Sequence, residues 1–411
     1  MNVSKERKTT KLTVFFRVSL RVKRCAVAIT LLLIFNACSS GPEVEIPEEI
    51  ASLENLSVIE ADAGPLHSIN LTPAASYGDT EDVIIGQMGQ FSVDQTGRIY
   101  IADFSQNVIH AYEPDGSYLR QIGREGDGPG EFRRVSAIRP GERHLHVLDT
   151  GSMRISRFTL DSHNFVDNLS VPFEFQSEGG FVSFPGNFHL VDDSHYLIHF
   201  GTGYSAAMDD SDVEPKDRGR LLNRSAGEFE EGFVYEFPIS EAIVHREGTS
   251  MSVMSPDYKR RSITVVNNSR LAHGWSEELL FKFYGMDGEY QSAVWQPNEN
   301  ISLNRNEILQ EYSDRDEPWR GMVRNDDMPE TWPAYRHLVL DDENRIWTAL
   351  YSDEEEMFNW RVFSEEGEFL AAFAWPGSLE IREVKNGSAY TRETDEETGL
   401  QQVVRYRIEM P

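Results

Sequence analysis

Two histidines, two aspartates, a glycine-rich loop, an aromatic insertion and one cysteine hold most of the chemistry this sequence could offer. His144-Leu-His146 would place two imidazoles on one face of a strand, because strand side chains alternate. Such a pair can begin a zinc site, which needs at least one more ligand. No third His or acid stands at a telling spacing, and polar residues on a solvent-facing strand are the commoner source of the pattern. Asp103 and Asp149 occupy matching places in a repeat. Carboxylates there can cap backbone N–H groups; a ring of them could instead hold Ca²⁺, which takes roughly six to eight oxygens. Capping is the expected role.

Residues 123–130 read GREGDGPG. A phosphate-cradling loop would continue into Lys-Ser/Thr and a helix, whereas Glu131-Phe132 and further strands follow, which predicts a turn. Residues 311–337 form a segment that the repeats do not require, with Trp319, Arg320, Trp332 and Tyr335 among several acids. Long insertions in compact domains often carry function, and exposed Trp, Tyr and Arg anchor interfaces or stack on carbohydrate. These four residues are the candidate binding surface; the alternative is a plain connection with its Trp side chains buried. No catalytic set and no cofactor motif is recognisable, and any metal, Ca²⁺ included, stays unassigned.

The first 24 residues hold eight Lys or Arg against one acid, and an apolar run, CAVAITLLLIFNA, follows to Ala37. That run is too short to span a bilayer comfortably. A basic stretch, a short apolar core and a small residue describe a signal peptide over residues 1–37. Cys38 then sits where a lipobox places its lipid-modified cysteine, although Phe35 stands where Leu is usual. A lipid anchor on Cys38 is expected, with Ser39 favouring the outer membrane. The only other cysteine is Cys25, so the remaining chain has no disulfide and no thiolate. Taking the leader's seven excess positive charges from a net −29 leaves the rest near −36. Such acidity argues against nucleic acid as a partner and against docking through a basic patch. The acids are dispersed, as on a solvated surface.

Residues 38–54 are rich in Ser, Gly, Pro and Glu and suit a tether. From residue 55 to 411 no helix-period segment of useful length appears, and short alternating strands are punctuated by Gly, Asp and Asn. One unit, residues 91–123, carries four strands with turns at Gly97 and Asp115-Gly116, the content of a propeller blade. Asp149, Ile155 and Phe158 follow Asp103, Ile109 and Tyr112 by 46 residues each. Asp287-Gly288 and Glu366-Gly367 repeat the turn. Units near 80–132, 133–178, 179–248, 249–300, 333–375 and 376–411 make six blades. The third is blurred by an acidic loop over 206–220. The sixth shows three strands, and the segments 56–61 and 67–72 are expected to supply the missing one. The predicted fold is therefore all-β: a six-bladed β-propeller of four-stranded antiparallel blades, closed by an N-terminal strand and monomeric.

GRIYIAD (residues 97–103), QIGREGDGPGEF (121–132), the stretch from Pro333 to Trp347, and GLQQVVRYRI (399–408) together resemble the NHL-like six-bladed β-propeller lipoproteins of bacteria. The resemblance covers most of the chain after the leader and weakens between residues 176 and 247. It implies the propeller and the anchor but little about activity, since most members have none assigned. Some relatives of this architecture are lyases or lactonases with a central-channel metal, and their His/Glu/Asn constellation is not recognisable here. The expectation is a membrane-anchored binding or scaffold module for a polypeptide or glycan partner in the cell envelope. The alternative is a metal-dependent propeller enzyme, a lyase or hydrolase, with a central-channel site.

Overall fold

The computed structural model describes residues 45–410 apart from 81–82, 174–175, 179–180, 205–213, 249, 268, 355 and 396–397. The leader, Cys38 and the first part of the tether lie outside the described residues. The end of the tether takes part in the ordered chain: Glu48–Ala51 is one helical turn with Ile50 buried.

Six blades follow in order. Blade 1 comprises Met88–Val93, Ile99–Asp103, Val108–Tyr112 and Tyr118–Ile122. Blade 2 comprises Val135–Pro140, His144–Asp149, Arg154–Thr159 and Phe165–Ser170. In blade 3, Phe181–Leu190, His195–Tyr204 and Lys216–Asn223 are flanked by an outer strand in two pieces, Glu228–Phe229 and Tyr235–Pro238. Ser262–Val266, Arg270–Trp275, Leu279–Gly285 and Tyr290–Gln296 form blade 4. Tyr335–Leu340, Ile346–Tyr351, Met357–Phe363 and Phe369–Pro376 form blade 5. Glu380–Lys385, Ser388–Thr394 and Gln401–Glu409 are the three C-terminal strands of blade 6. Part of the acidic segment expected as loop is thus strand, since Lys216–Asn223 pairs on both sides.

The local signals behind the blades are visible atom by atom. In the motif shared by blades 1 and 5, Asp94 accepts the amides of Thr96 and Arg98 and the hydroxyl of Tyr100. Asp341 accepts the amides of Glu343 and Arg345 and the indole N–H of Trp347. One carboxylate therefore closes the first hairpin and fixes the aromatic residue of the second strand. Burying that aromatic needs a neighbour, because a single blade cannot cover both of its faces. Six apolar clusters supply this, one at each blade interface. The smallest lies between blades 3 and 4, around Leu197, Tyr235, Phe237 and Leu271.

The ring closes through Asn70–Tyr77, which pairs antiparallel with Gln401–Glu409 as the outer strand of blade 6. The closing strand therefore begins later and runs further than expected. Pro73, which reads as a break, is accommodated by a register shift between Pro73 and Ala75 on an edge strand, where proline is tolerated. The earlier segments extend other blades. His67–Ser68 pairs parallel with the outer strand of blade 5, and Leu56–Val58 does so with that of blade 4. Ile59, just beyond, is buried in the cluster between blades 4 and 5. The N-terminal segment is thus a strap across three blades rather than a single closing strand.

The third turn of a blade leans on the blade before it. At Gly116 (φ +95°), an added Cβ would lie 2.7 Å from the carbonyl oxygen of Ser76 on the closing strand. Gly288 meets the Val234 carbonyl of blade 3 in the same way, and Gly367 meets Ser57 of the strap. Asp-Gly here serves a close interblade approach as well as the positive φ of a hairpin. Gly97 (φ +87°) is the natural control, since its added Cβ would find nothing nearer than Pro114 at 3.5 Å. Gly97→Ala should cost about 1 kcal/mol, the conformational penalty alone. Gly116→Ala should cost at least about 2 kcal/mol, because strain and steric overlap add. Urea unfolding compares the two, and equal losses would show that the Gly116–Ser76 approach contributes nothing.

Candidate functional site

Where each outer strand passes to the next blade's innermost strand, the ring has what we term its upper face; the loops joining second to third strands lie there too. Asp103 and Asp149 end the second strands of blades 1 and 2 on this face, both fully buried. Asp103 accepts the amides of Gly86, Gln87 and Ser105 and the Ser105 hydroxyl. Burial works to raise its pKa, and these hydrogen bonds outweigh it and hold the carboxyl below its usual range. Asp149 accepts the amides of Arg133, Arg134, Gly151 and Ser152. Both carboxylates cap the chain as it enters the blade. In blade 4 the hydroxyl of Ser276 does the same for the amide of Arg261. Among the described residues no group of three or more His, Cys, Asp or Glu is placed to hold a metal ion.

The glycine-rich loop is filled by its own side chains. Glu131 accepts the amide of Gly128 and pairs with Arg124, while Arg154 donates to the carbonyls of Asp127, Gly128 and Glu131. Phe132 is wholly buried against Phe158. The loop is a turn between blades.

His146 does not face solvent: it is buried between blades 2 and 3, with Nδ1 2.8 Å from the Tyr196 hydroxyl. His144 lies beside it at a ring separation of 6.2 Å. Alternation along the strand gives the two histidines a common face but not which face a neighbouring blade covers. His273 plays a similar part between blades 3 and 4, stacked on Phe237 at 3.8 Å.

Two short helices that the sequence pattern does not announce stand here, Arg305–Glu311 just before the insertion and Trp319–Asn325 within it. Asn304 caps the first through its side chain. With seven residues each, neither is long enough to show a helical period. They pack with Tyr258, Met254 and Ile243 around Ile308 and Val323, next to the hairpin Ile243–Glu247 and Ser250–Met254. This satellite is fastened to the ring by Arg260, which donates to the Thr331 carbonyl and hydroxyl, and by a Lys259–Asp326 ion pair of 2.9 Å.

The four candidate surface residues part company here. Trp319 is 37% exposed on the second helix, and Arg320 beside it is exposed and hydrogen-bonded to Glu317. Trp332 is half-buried, its ring tilted against Tyr351 of blade 5 at 5.0 Å. Tyr335 is no surface residue at all: it is fully buried in the first strand of blade 5 against Phe281. The insertion therefore combines the two alternatives, since Trp332 and Tyr335 anchor it and Trp319 is displayed. Between the second helix and the hairpin runs a groove of about 540 Å³, lined among others by His245, Glu247, Glu317, Met322 and Arg324. Further large apolar side chains stand exposed on the same face: Ile84, Phe104, Phe184 and Leu400.

The family described as a 6-bladed beta-propeller (DUF5128) matches residues 79–209, which span blades 1 and 2 and the first hairpin of blade 3. No curated protein matches the sequence. Among solved structures, a member of the DUF4221 family from Bacteroides vulgatus is 12% identical, covering 84% of this chain and 99% of that one at a TM-score of 0.49. A protein described as exported, from Bacteroides fragilis, is 10% identical, covering 86% and 99% at a TM-score of 0.48. Regucalcin, a calcium-binding protein from Agrobacterium tumefaciens, is 9% identical, covering 85% and 96% at a TM-score of 0.40. At such identities these likenesses speak to no activity.

The buried histidines make stability depend on pH. Burial, helped by Arg224 and Arg157, lowers His146 to about 3; burial and Lys282 lower His273 to about 4. Below an ordinary pKa of about 6.5 each takes up a proton in the unfolded chain but not in the folded one, so stability falls as pH falls. At pH 5 the loss should be about 2 kcal/mol for each. Urea midpoints at pH 7.5 and pH 5 measure it. His146→Gln should shrink the difference, and an undiminished difference would exclude His146 as its source.

Proposed function

We propose that the protein is an exported, lipid-anchored binding module of the cell envelope whose upper face takes a polypeptide or glycan partner. The observation that carries this is the upper face itself, which holds the satellite groove near Trp319 and, elsewhere round the ring, the exposed Ile84, Phe104, Phe184 and Leu400. Exposed apolar groups rimmed by polar residues mark interaction surfaces, and Trp next to Arg is a favoured anchor pair. The groove offers both signs of charge through Arg324 and Glu317, which suits a polar extended ligand. The basic leader, the apolar run and Cys38 support export with lipid attachment at the outer membrane.

Capture of cell-envelope polypeptides and of an array of envelope glycans by the purified protein tests the surface. Trp319→Ala with Phe104→Ala should weaken capture about tenfold or more, the scale of a lost anchor. Leu119→Ala and Val166→Ala, exposed on outer strands, should leave it unchanged. Equal capture by all four variants would remove the upper face from the account. For the anchor, Cys38→Ala should move the protein from the membrane fraction to the soluble one, and continued membrane association would rule out lipidation as the attachment.

A further inference from the structure

The central channel carries a different chemistry from the rest of the molecule. Its lower part, at the ends of the innermost strands, is a cavity of about 540 Å³ lined by all six blades. Ser269 and Asp342 stand exposed at its rim. The chain as a whole carries a net charge of −29, yet in this cavity the cations Arg139, Arg382, Lys385 and Arg392 stand beside only three acids, Asp341, Asp342 and Glu383.

Two of the acids near these cations are already committed. Arg382 pairs with Glu380, and Asp341 with Arg345 outside the cavity. The other three cations rest on neutral acceptors. Arg139 donates to the Ile138 carbonyl and the Asn187 side chain, each at 2.8 Å. Lys385 donates to the Val93 carbonyl at 2.7 Å. Arg392 donates to the Gly89 carbonyl, and its Nε is buried with no partner. Among the described residues none of the three has a carboxylate within salt-bridge distance. Glu383 lies among them and accepts the Val93 amide, but burial raises its pKa and weakens it as a counter-charge. His189, also on the wall, is held well below its usual pKa, chiefly by burial and then by Arg139.

All three side chains are half-buried; charges drawn away from water are ordinarily paired, and the unpartnered buried Nε of Arg392 calls for an explanation. An anion in the cavity supplies both needs. The remaining wall is polar, with Ser92, Gln90 and the amide nitrogen of Asn187 placed to meet hydroxyl groups, and the volume falls within the range of small-molecule sites. We propose that the channel binds a small hydroxylated organic anion, its carboxylate or phosphate held by Arg139 and Lys385 at the lower end, with Arg392, nearer the Gly89 end of the wall, left to meet its hydroxyl groups. This site is separate from the upper face and stands whether or not that face binds a partner.

Titration calorimetry in low-chloride buffer tests it with glucuronate, glucose 6-phosphate and inorganic phosphate, and with glucose as the neutral control. At least one anion should bind saturably at millimolar or lower concentration, and glucose should not. Glucuronate against glucose 6-phosphate tells which oxyanion is preferred, and inorganic phosphate tells whether the hydroxylated frame matters. Arg139→Gln should weaken binding at least tenfold with an unchanged circular dichroism spectrum, while Arg120→Gln on an outer strand should not. If Arg139→Gln fails to fold, Lys385→Gln near the rim carries the same expectation. Absence of saturable binding by every anion, equal binding of glucose, or binding indifferent to the channel variants would overturn the proposal.

Discussion

Everything in this molecule depends on the pairing of Asn70–Tyr77 with Gln401–Glu409. Each blade buries its second-strand side chains only against a neighbour, so an open ring would leave two blade faces uncovered. The closing pair removes those faces at once, and it does so through backbone hydrogen bonds whose register is tied to blade 1. Tyr77 donates to the Pro114 carbonyl and Tyr112 to the carbonyl of Gly78. The Gly116 approach to Ser76 belongs to the same seam. Closure is thus a three-way junction of closing strand, last blade and first blade.

A second constraint follows from a ring whose blades meet through apolar clusters. Polar groups inside it must be spent on the chain itself. Asp94 and Asp341 are occupied by hairpin amides, Asp103 and Asp149 by blade-entry amides, and His146 by a tyrosine hydroxyl. Residues whose types suggest chemistry are therefore mostly structural. What is left over lies at the two ends of the ring: displayed aromatics above, and cations held only by neutral oxygens in the channel.

The repeat made the architecture legible in the sequence because Asp-Gly turns and 46-residue spacings depend on short-range chemistry. The capping role of Asp103 and Asp149 was legible for the same reason. Blade 3 was not, since its outer strand is broken in two and its third strand, Lys216–Asn223, is rich in charge. The satellite was hidden by the brevity of its helices. Tyr335 was misplaced because a strand start and a loop end look alike when both are aromatic. The channel cations escaped notice altogether. Glu383 and Lys385 do alternate along an innermost strand, which is a signal that charge faces the axis, but Arg139 and Asn187 join them only through the ring.

The strap has a consequence in time. Its partners lie in blades 4, 5 and 6, so residues 56–77, made early in synthesis, wait for strands made last. Pairings this distant in sequence are slow to form. A chain halted before residue 401 keeps its closing strand as an unpaired edge, open to other chains. Arrival of Gln401–Glu409, rather than of any earlier blade, is the event that commits this ring to its closed shape.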